Sequence, residues 1–167
     1  MIRVLVSSCL LGERVRYHGG DARSNDPRLA RWLEEGRVVP VCPELEAGLG
    51  VPRPPAEIRG GDGLAVLDGT ARVVTERGED LTAAFRRGAG EALQRARDAG
   101  VRLAVLTDRS PSCGSTEVYD GTFSGLTRPA VGVTAALLER HGIRVFDPAR
   151  LDEAEGYLLH LEQTAEG

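Results

Sequence analysis

The stretch MIRVLVSSC, residues 1–9, decides the fold. Its apolar part, residues 2–6, has the length of a buried β-strand, and the polar and small residues that follow predict a turn over residues 7–12. The same pattern returns at residues 38–41 and 101–106, where two further strands are predicted. Because helical periodicity separates these short strands, the chain alternates strand and helix.

Helix ends are marked by capping residues. Asp26 and Pro27 start the first helix and Gly36 ends it, because Asp caps free N–H groups and Pro fits a first turn. Asp80 precedes the longest helix. The spacing places this longest helix at residues 81–99 and predicts two more helices at residues 134–140 and 151–163. A last strand is predicted at residues 143–146. We therefore predict an α/β fold: a single domain over residues 1–167, Rossmann-like and three-layered, with a mostly parallel sheet and helices on both faces.

The middle of the chain carries turn signals. Residues 49–63 are rich in Pro and Gly and are predicted to form a shaped loop, since Pro52-Arg53-Pro54-Pro55 excludes a regular helix or a central strand. The apolar residues 64–67 and 71–75 flank Asp68-Gly69, which predicts a β-hairpin. Another turn is predicted at residues 119–122.

The composition excludes several classes of protein. A hydrophobic share of 41% and a charged share of 28% exclude a disordered tail and a membrane protein. The formal net charge of −4 and the lack of a basic stripe argue against general nucleic-acid binding. All 21 basic residues are Arg, so a Schiff-base lysine and the Lys of a phosphate-binding P-loop are excluded.

The chain has three cysteines, and because this number is odd they cannot all pair in disulfide bonds. With no targeting segment at the start of the chain, free thiols predict a cytoplasmic protein. Cys9, Cys42 and Cys113 each follow a predicted strand. Because ligands of an open parallel sheet bind beyond the carboxyl ends of its strands, we expect the three thiols to converge.

Three converging thiols leave several kinds of site open. Structural zinc usually has four protein ligands, often in Cys-x-x-Cys pairs, and the chain has no such pair. An open-site zinc and a 4Fe-4S cluster with one free iron both remain, as do three small buried side chains. The Pro, Ser and Gly residues beside Cys42 and Cys113 are typical of exposed turns rather than of a core.

A set of short motifs then identifies a resemblance. In order, they are Ser8-Cys9-Leu10-Leu11-Gly12, Arg16-Tyr17, Cys42-Pro43-Glu44, Pro52-Arg53-Pro54-Pro55-Ala56-Glu57-Ile58, Ser110-Pro111-Ser112-Cys113-Gly114 and Tyr119-Asp120-Gly121-Thr122-Phe123-Ser124-Gly125. The set, over residues 3–146, resembles the bacterial family of two-thiouracil desulfidases, or thiouracil desulfurases, whose function was long unknown.

The resemblance implies a function and a site. It implies an oxygen-sensitive 4Fe-4S cluster on Cys9, Cys42 and Cys113, whose open iron takes the sulfur of the substrate. The thiocarbonyl of a small thiolated base becomes a carbonyl, and hydrogen sulfide is released. Glu44 is implied as the acid/base carboxylate and Ser110 as a residue that assists at the substrate. The partners expected are a thiolated base or sulfide, and a homodimer is left open.

The chain departs from the family pattern at two places. Thr107-Asp108-Arg109 stands where the family often has Lys, and His18 stands where it often has Asp. Both departures bear on the choice of substrate.

Two other functions compete with this interpretation. A sulfurtransferase would use Cys9 or Cys113 as its nucleophile and would need a thiol of low pKa. A sulfide- or metal-binding carrier would hold the same group without turnover.

Single residues also have simpler interpretations. Glu44 suits a surface or capping carboxylate, Ser110 suits a turn, and Arg53 with Glu57 suits a structural ion pair. The aromatic side chains would either wall a pocket for a flat base or pack in the core; they are Tyr17, Tyr119 and Phe123.

Overall fold

Strands and helices alternate along the chain in the computed structural model, which describes residues 1–166, with side chains to Thr164. The strands in this part are β1 Val4–Ser7, β2 Val38–Val41, β3 Ala56–Arg59, β4 Arg72–Thr75, β5 Leu103–Val105, β6 Glu117–Tyr119, β7 Thr127–Pro129 and β8 Arg144–Phe146. The α-helices are α1 Pro27–Glu34, α2 Pro43–Glu46, α3 Gly63–Asp68, α4 Thr82–Asp98, α5 Val133–Arg140 and α6 Leu151–Glu166. No helix within residues 1–166 is long and apolar enough to cross a membrane.

A four-stranded parallel sheet forms the centre of the molecule. Its strand order is β2-β1-β5-β8, and each neighbouring pair is parallel. The chain leaves β1 towards one side of the sheet to form β2 and later crosses to the other side to form β5. The loops after β1 and β5 therefore diverge, which opens a crevice at the carboxyl edge of the sheet. The predicted parallel sheet is confirmed.

Helices cover both faces of this sheet, as predicted. Val4 and Val6 face one side, where they pack with Trp32 of α1 and Leu158 of α6. Leu5 faces the other side, which α4 and α5 cover. This alternation follows from the two-residue period of a strand, and since both faces are buried, the strand needs the continuous apolar run seen in the sequence.

The predicted hairpin around Asp68-Gly69 is wrong. Residues 63–68 form α3, which Asp62 caps by accepting the N–H of Ala65 at 3.0 Å. Gly69 ends the helix with a φ of 85°. The Asp-Gly signal was ambiguous because a glycine in the left-handed region suits a helix C-terminus as well as a hairpin turn. The strand β4 instead pairs antiparallel with β3.

The Pro-rich segment is also more regular than predicted. Its end, Ala56–Arg59, is the strand β3, although residues 52–55 themselves form neither helix nor strand. The pair β3–β4 packs with α3 against α4 and α5. A second antiparallel pair, β6–β7, flanks the turn predicted at residues 119–122 and is absent from the prediction.

Candidate active site

A cavity of about 630 Å³ opens beyond the carboxyl ends of β1, β2 and β5. The five residues predicted for the site all line it: Cys9, Cys42, Glu44, Ser110 and Cys113. The convergence expected from the strand pattern is therefore present.

Cys9 lies in a 3₁₀ turn, Ser8–Leu11, that directly follows β1. Gly12 ends this turn with a φ of 94°, and the Cys9 carbonyl accepts N–H groups from Gly12 at 3.2 Å and Ala22 at 3.0 Å. Burial raises the pKa of the Cys9 thiol to about 11, although the Arg16 guanidinium opposes the rise. Cys9 thus sits in a rigid turn, with a cation beside it.

Cys42 lies between β2 and α2, at the residue that immediately precedes that short helix. Burial raises the pKa of its thiol, while backbone N–H groups of Leu45 and Glu44 partly counter the rise. The helix α2 is held by close packing: a Cβ added to Gly88 of α4 would lie 2.2 Å from the Pro43 carbonyl oxygen. The absence of a side chain at Gly88 therefore lets α2, which begins between Cys42 and Glu44, lie directly against α4.

Cys113 is held by Ser110. The Ser110 hydroxyl oxygen accepts the N–H groups of Ser112 at 3.1 Å and of Cys113 at 3.2 Å. Burial raises the pKa of the Cys113 thiol, and the charges of Cys9, Glu44 and Cys42 raise it further. The three thiols are thus near enough for their charges to interact.

The donor set fits an iron–sulfur cluster. All three cysteines are free, and ionising them together is costly because burial and mutual repulsion both oppose it. A cationic metal group removes that cost. Within residues 1–166 no three His, Cys, Asp or Glu side chains are close enough to share one metal ion. A cluster places its thiolates on separate irons and so accepts wider spacing.

Glu44 faces the cavity from the first turn of α2 and is only 15% exposed, so the surface interpretation is wrong. Arg53 donates from Nε to Glu44 Oε2 at 2.7 Å, and its Nη2 contacts the same oxygen. The other oxygen, Oε1, lies 3.5 Å from the Ser110 hydroxyl, a long contact. Arg53 thus holds Oε2 in place, and Oε1 points towards Ser110.

The ion pair between Arg53 and Glu57, one of the two interpretations left open by the sequence, is not formed. Arg53 pairs with Glu44 instead, and Glu57 Oε1 accepts the N–H groups of Gly121 at 2.9 Å and Phe123 at 3.2 Å. Sequence spacing alone could not choose between the two carboxylates, because the fold of residues 49–55 sets the direction of the Arg53 side chain.

Two further polar side chains lie beside the thiols: Thr107, which the sequence marks only as a departure from the family pattern, and Ser7, which the sequence does not single out. Thr107 lies against Cys9 and Ser7 lies against Cys113, and each partly opposes the rise in the pKa of its cysteine. Ser7 Oγ also accepts the Thr107 N–H at 3.0 Å. Their position could be predicted from the strand pattern, since Ser7 is the last residue of β1 and Thr107 comes shortly after β5, at the edge where the cysteines lie.

The departures from the family pattern lie at different distances from the cavity. Thr107 and Arg109 line it, whereas Asp108 accepts hydrogen bonds from the backbone of Arg109 and the hydroxyl of Thr116. His18 accepts the Gly20 N–H at 2.9 Å and is not one of the lining residues. The three aromatic side chains do line the cavity: Tyr17, Tyr119 and Phe123.

Comparison with known proteins gives consistent matches. Residues 4–149 match the model of a family described as 2-thiouracil desulfurase. The uncharacterized protein YbbK of Bacillus subtilis (strain 168) is 45% identical over 150 residues, which cover 90% of this chain and 98% of that protein. A solved structure described as the 4Fe-4S-dependent thiouracil desulfidase TudS matches with a TM-score of 0.87 and 44% identity, over 95% of this chain and 98% of the other.

Proposed function

We infer that this chain, which belongs to the 2-thiouracil desulfurase family, is an iron–sulfur-dependent desulfidase that acts on a small thiouracil-like base. One observation carries the proposal: three free thiols and a carboxylate from distant parts of the chain line one cavity. The reaction is a hydrolysis. Water supplies the oxygen of the new carbonyl, and the sulfur leaves with two protons as hydrogen sulfide, so no external oxidant or reductant is needed.

The cofactor in this proposal is a 4Fe-4S cluster held by Cys9, Cys42 and Cys113, with one iron that has no protein ligand. When bound, the cluster supplies a Lewis acid with affinity for the soft sulfur of a thiocarbonyl. The description of the TudS structure as 4Fe-4S-dependent supports this choice of group.

The chain's own residues supply proton transfer. Glu44 takes a proton from the attacking water and returns it to the leaving sulfur. Arg53 holds Glu44 Oε2 and so leaves Oε1 as the basic oxygen. Ser110 donates to Oε1 and assists at the substrate, while its oxygen shapes the turn that carries Cys113.

The competing functions have less support. A thiol nucleophile needs a lowered pKa, whereas burial raises the pKa of all three cysteines in the chain without its cluster. A carrier has no use for a carboxylate that an arginine orients in the cavity. A homodimer, a cytoplasmic location and one domain over residues 1–167 remain predictions.

Anaerobic reconstitution tests this function. Iron and sulfide are quantified for the wild type and for Cys9→Ser, Cys42→Ser and Cys113→Ser, together with sulfide release from 2-thiouracil and 4-thiouracil. We expect a loaded wild type that releases sulfide, and loss of both cluster and turnover in each variant. A single essential cysteine would instead indicate a sulfurtransferase, and a loaded wild type that releases no sulfide from either base would overturn the proposal.

A further inference from the structure

A second carboxylate, Glu57, lines the same cavity as Glu44 and has no role in the proton transfer proposed above. It belongs to β3 and is 7% exposed. Its Oε1 accepts the N–H groups of Gly121 and Phe123, at 2.9 and 3.2 Å. Among the residues that the structure describes, no donor reaches Oε2, and Arg53, a cation of the same cavity, pairs with Glu44.

The free oxygen of Glu57 faces the cavity. Burying a carboxylate oxygen without a hydrogen-bond donor costs folding free energy, and such unpaired oxygens are rare in proteins. In the described part of the chain, the side-chain polar atom that is both fully buried and without a partner is Arg37 Nε. Glu57 Oε2 also has no partner there but is not such an atom, so it is not fully buried and keeps some contact with solvent. Since Glu57 is nine-tenths buried and lines the cavity, that contact is with the cavity.

The loop that Glu57 binds forms a wall beside this oxygen. A Cβ added to Gly121 would lie 2.7 Å from the Ile58 carbonyl oxygen, so the loop packs directly on β3. Arg59 donates to the Gly121 carbonyl at 2.9 Å and stacks over the Phe123 ring at 5.4 Å. Phe123 lines the cavity too. A fixed acceptor beside an aromatic side chain suits the N–H edge of a flat ring.

We propose that Glu57 Oε2 accepts a ring N–H of the substrate and thereby makes the site specific for cyclic thioamides that keep that N–H. This inference rests on the proposed desulfidase function and names the specificity residue of the same site. A methyl group on the contacted nitrogen removes the donor and leaves the carboxylate oxygen unpaired, which is the arrangement that discriminates most strongly against an analogue.

The test compares three substrates with three forms of the reconstituted enzyme. The substrates are 2-thiouracil, its N1-methyl derivative and its N3-methyl derivative. The enzymes are the wild type, Glu57→Gln and the control Glu79→Gln, which changes an exposed carboxylate of the same cavity. In the wild type, one methylated substrate should lose kcat/KM by about 10- to 100-fold, the range for a hydrogen bond to a charged group.

Glu57→Gln should lose a similar factor with 2-thiouracil, mainly through KM, and should no longer distinguish that methylated substrate. Its thermal midpoint should match the wild type, because the amide oxygen still accepts the Gly121 and Phe123 N–H groups. Glu79→Gln should keep the wild-type preference. Equal kcat/KM for all three substrates in the wild type, or an unchanged preference in Glu57→Gln, overturns the inference.

Binding separates this inference from the proposed function. Calorimetry with uracil, N1-methyluracil and N3-methyluracil requires no turnover, and it uses wild-type protein even if Glu57→Gln fails to fold. One methylated base should bind at least about 10-fold more weakly than uracil. No binding of uracil, or equal binding of all three, overturns the role of Glu57. An absence of sulfide release with selective binding overturns only the desulfidase function.

Discussion

At the scale of single residues, the two oxygens of Glu44 have different surroundings. Oε2 receives the Arg53 guanidinium, which is itself only 9% exposed, and Oε1 has only the long contact with Ser110. A planar guanidinium restricts a carboxylate more than a lysine would, because its donors lie in a fixed fork. Glu44 is thus oriented before a substrate enters.

Replacing Glu44 by Gln should lower turnover by about 100- to 10,000-fold, the usual contribution of a positioned acid or base. The iron content should stay at the wild-type value, since no proposed ligand changes. Glu46→Gln is the matched control, because Glu46 lies in the same helical turn, pairs with the half-exposed Arg95 and does not line the cavity. Sulfide release and iron content are measured on all three proteins. Equal losses in both variants would contradict the role of Glu44.

At the scale of elements, α2 depends on the helix beneath it. Gly88→Ala places a Cβ 2.2 Å from the Pro43 carbonyl oxygen and 3.3 Å from Ala47 Cβ. We expect a loss of about 1–3 kcal/mol in the free energy of unfolding, as for an overpacked core, and weaker iron retention because Cys42 shifts. Urea denaturation and the iron bound after anaerobic desalting are the measurements.

Gly90→Ala is the control in the same helix. Nothing lies within 4 Å of an added Cβ at Gly90. Alanine should therefore stabilise the protein by about 0.5–1 kcal/mol, since it restricts the unfolded chain and favours helix. If Gly88→Ala also stabilises the chain, the close approach of α2 and α4 does not hold the site.

The elements also show what the sequence could predict. Apolar runs mark the inner strands β1 and β5, whose residues are all buried, whereas the outer strands β2 and β8 carry exposed residues such as Pro40 and Arg144. The ends of β1, β2 and β5 located the cysteines. The hairpin prediction failed because Leu64-Ala65-Val66-Leu67 is too short for helical and strand patterns to differ. The pairing of β3 with β4 was not predictable, since it joins segments on either side of α3. The pairing of Arg53 with Glu44 could not be predicted for the same reason, because it depends on tertiary contacts.

At the scale of the whole molecule, Arg37 joins the two ends of the chain. Its Nη1 donates to the Ile2 carbonyl at 2.9 Å and to Glu162 Oε1 of α6 at 2.6 Å. The hydrogen bond from Arg37 is the main cause that lowers the pKa of Glu162. A lowered pKa in the folded state means that this stabilisation is present above the unfolded pKa and is lost as the pH falls through the folded pKa.

The stability of the cluster-free chain should therefore fall on acidification from about pH 6 to about pH 3, and Glu162→Gln should reduce that fall. Glu153→Gln, which changes a 60% exposed carboxylate of the same helix, should keep the wild-type slope. The urea midpoint across this pH range is the measurement. The same slope in Glu162→Gln and the wild type would show that the contact with Arg37 contributes nothing.

The placement of the thiols after β1, β2 and β5 has a consequence for biosynthesis. A nascent chain on the ribosome exposes Cys9 and Cys42 long before Cys113 is translated, and the crevice exists only once β5 has joined β1. With the ligands proposed above, the complete set of thiols is absent from every shorter nascent chain, so we expect cofactor delivery to follow the folding of the sheet. A cluster bound by all three thiolates, as proposed, would tie the strand ends together and stabilise the folded sheet.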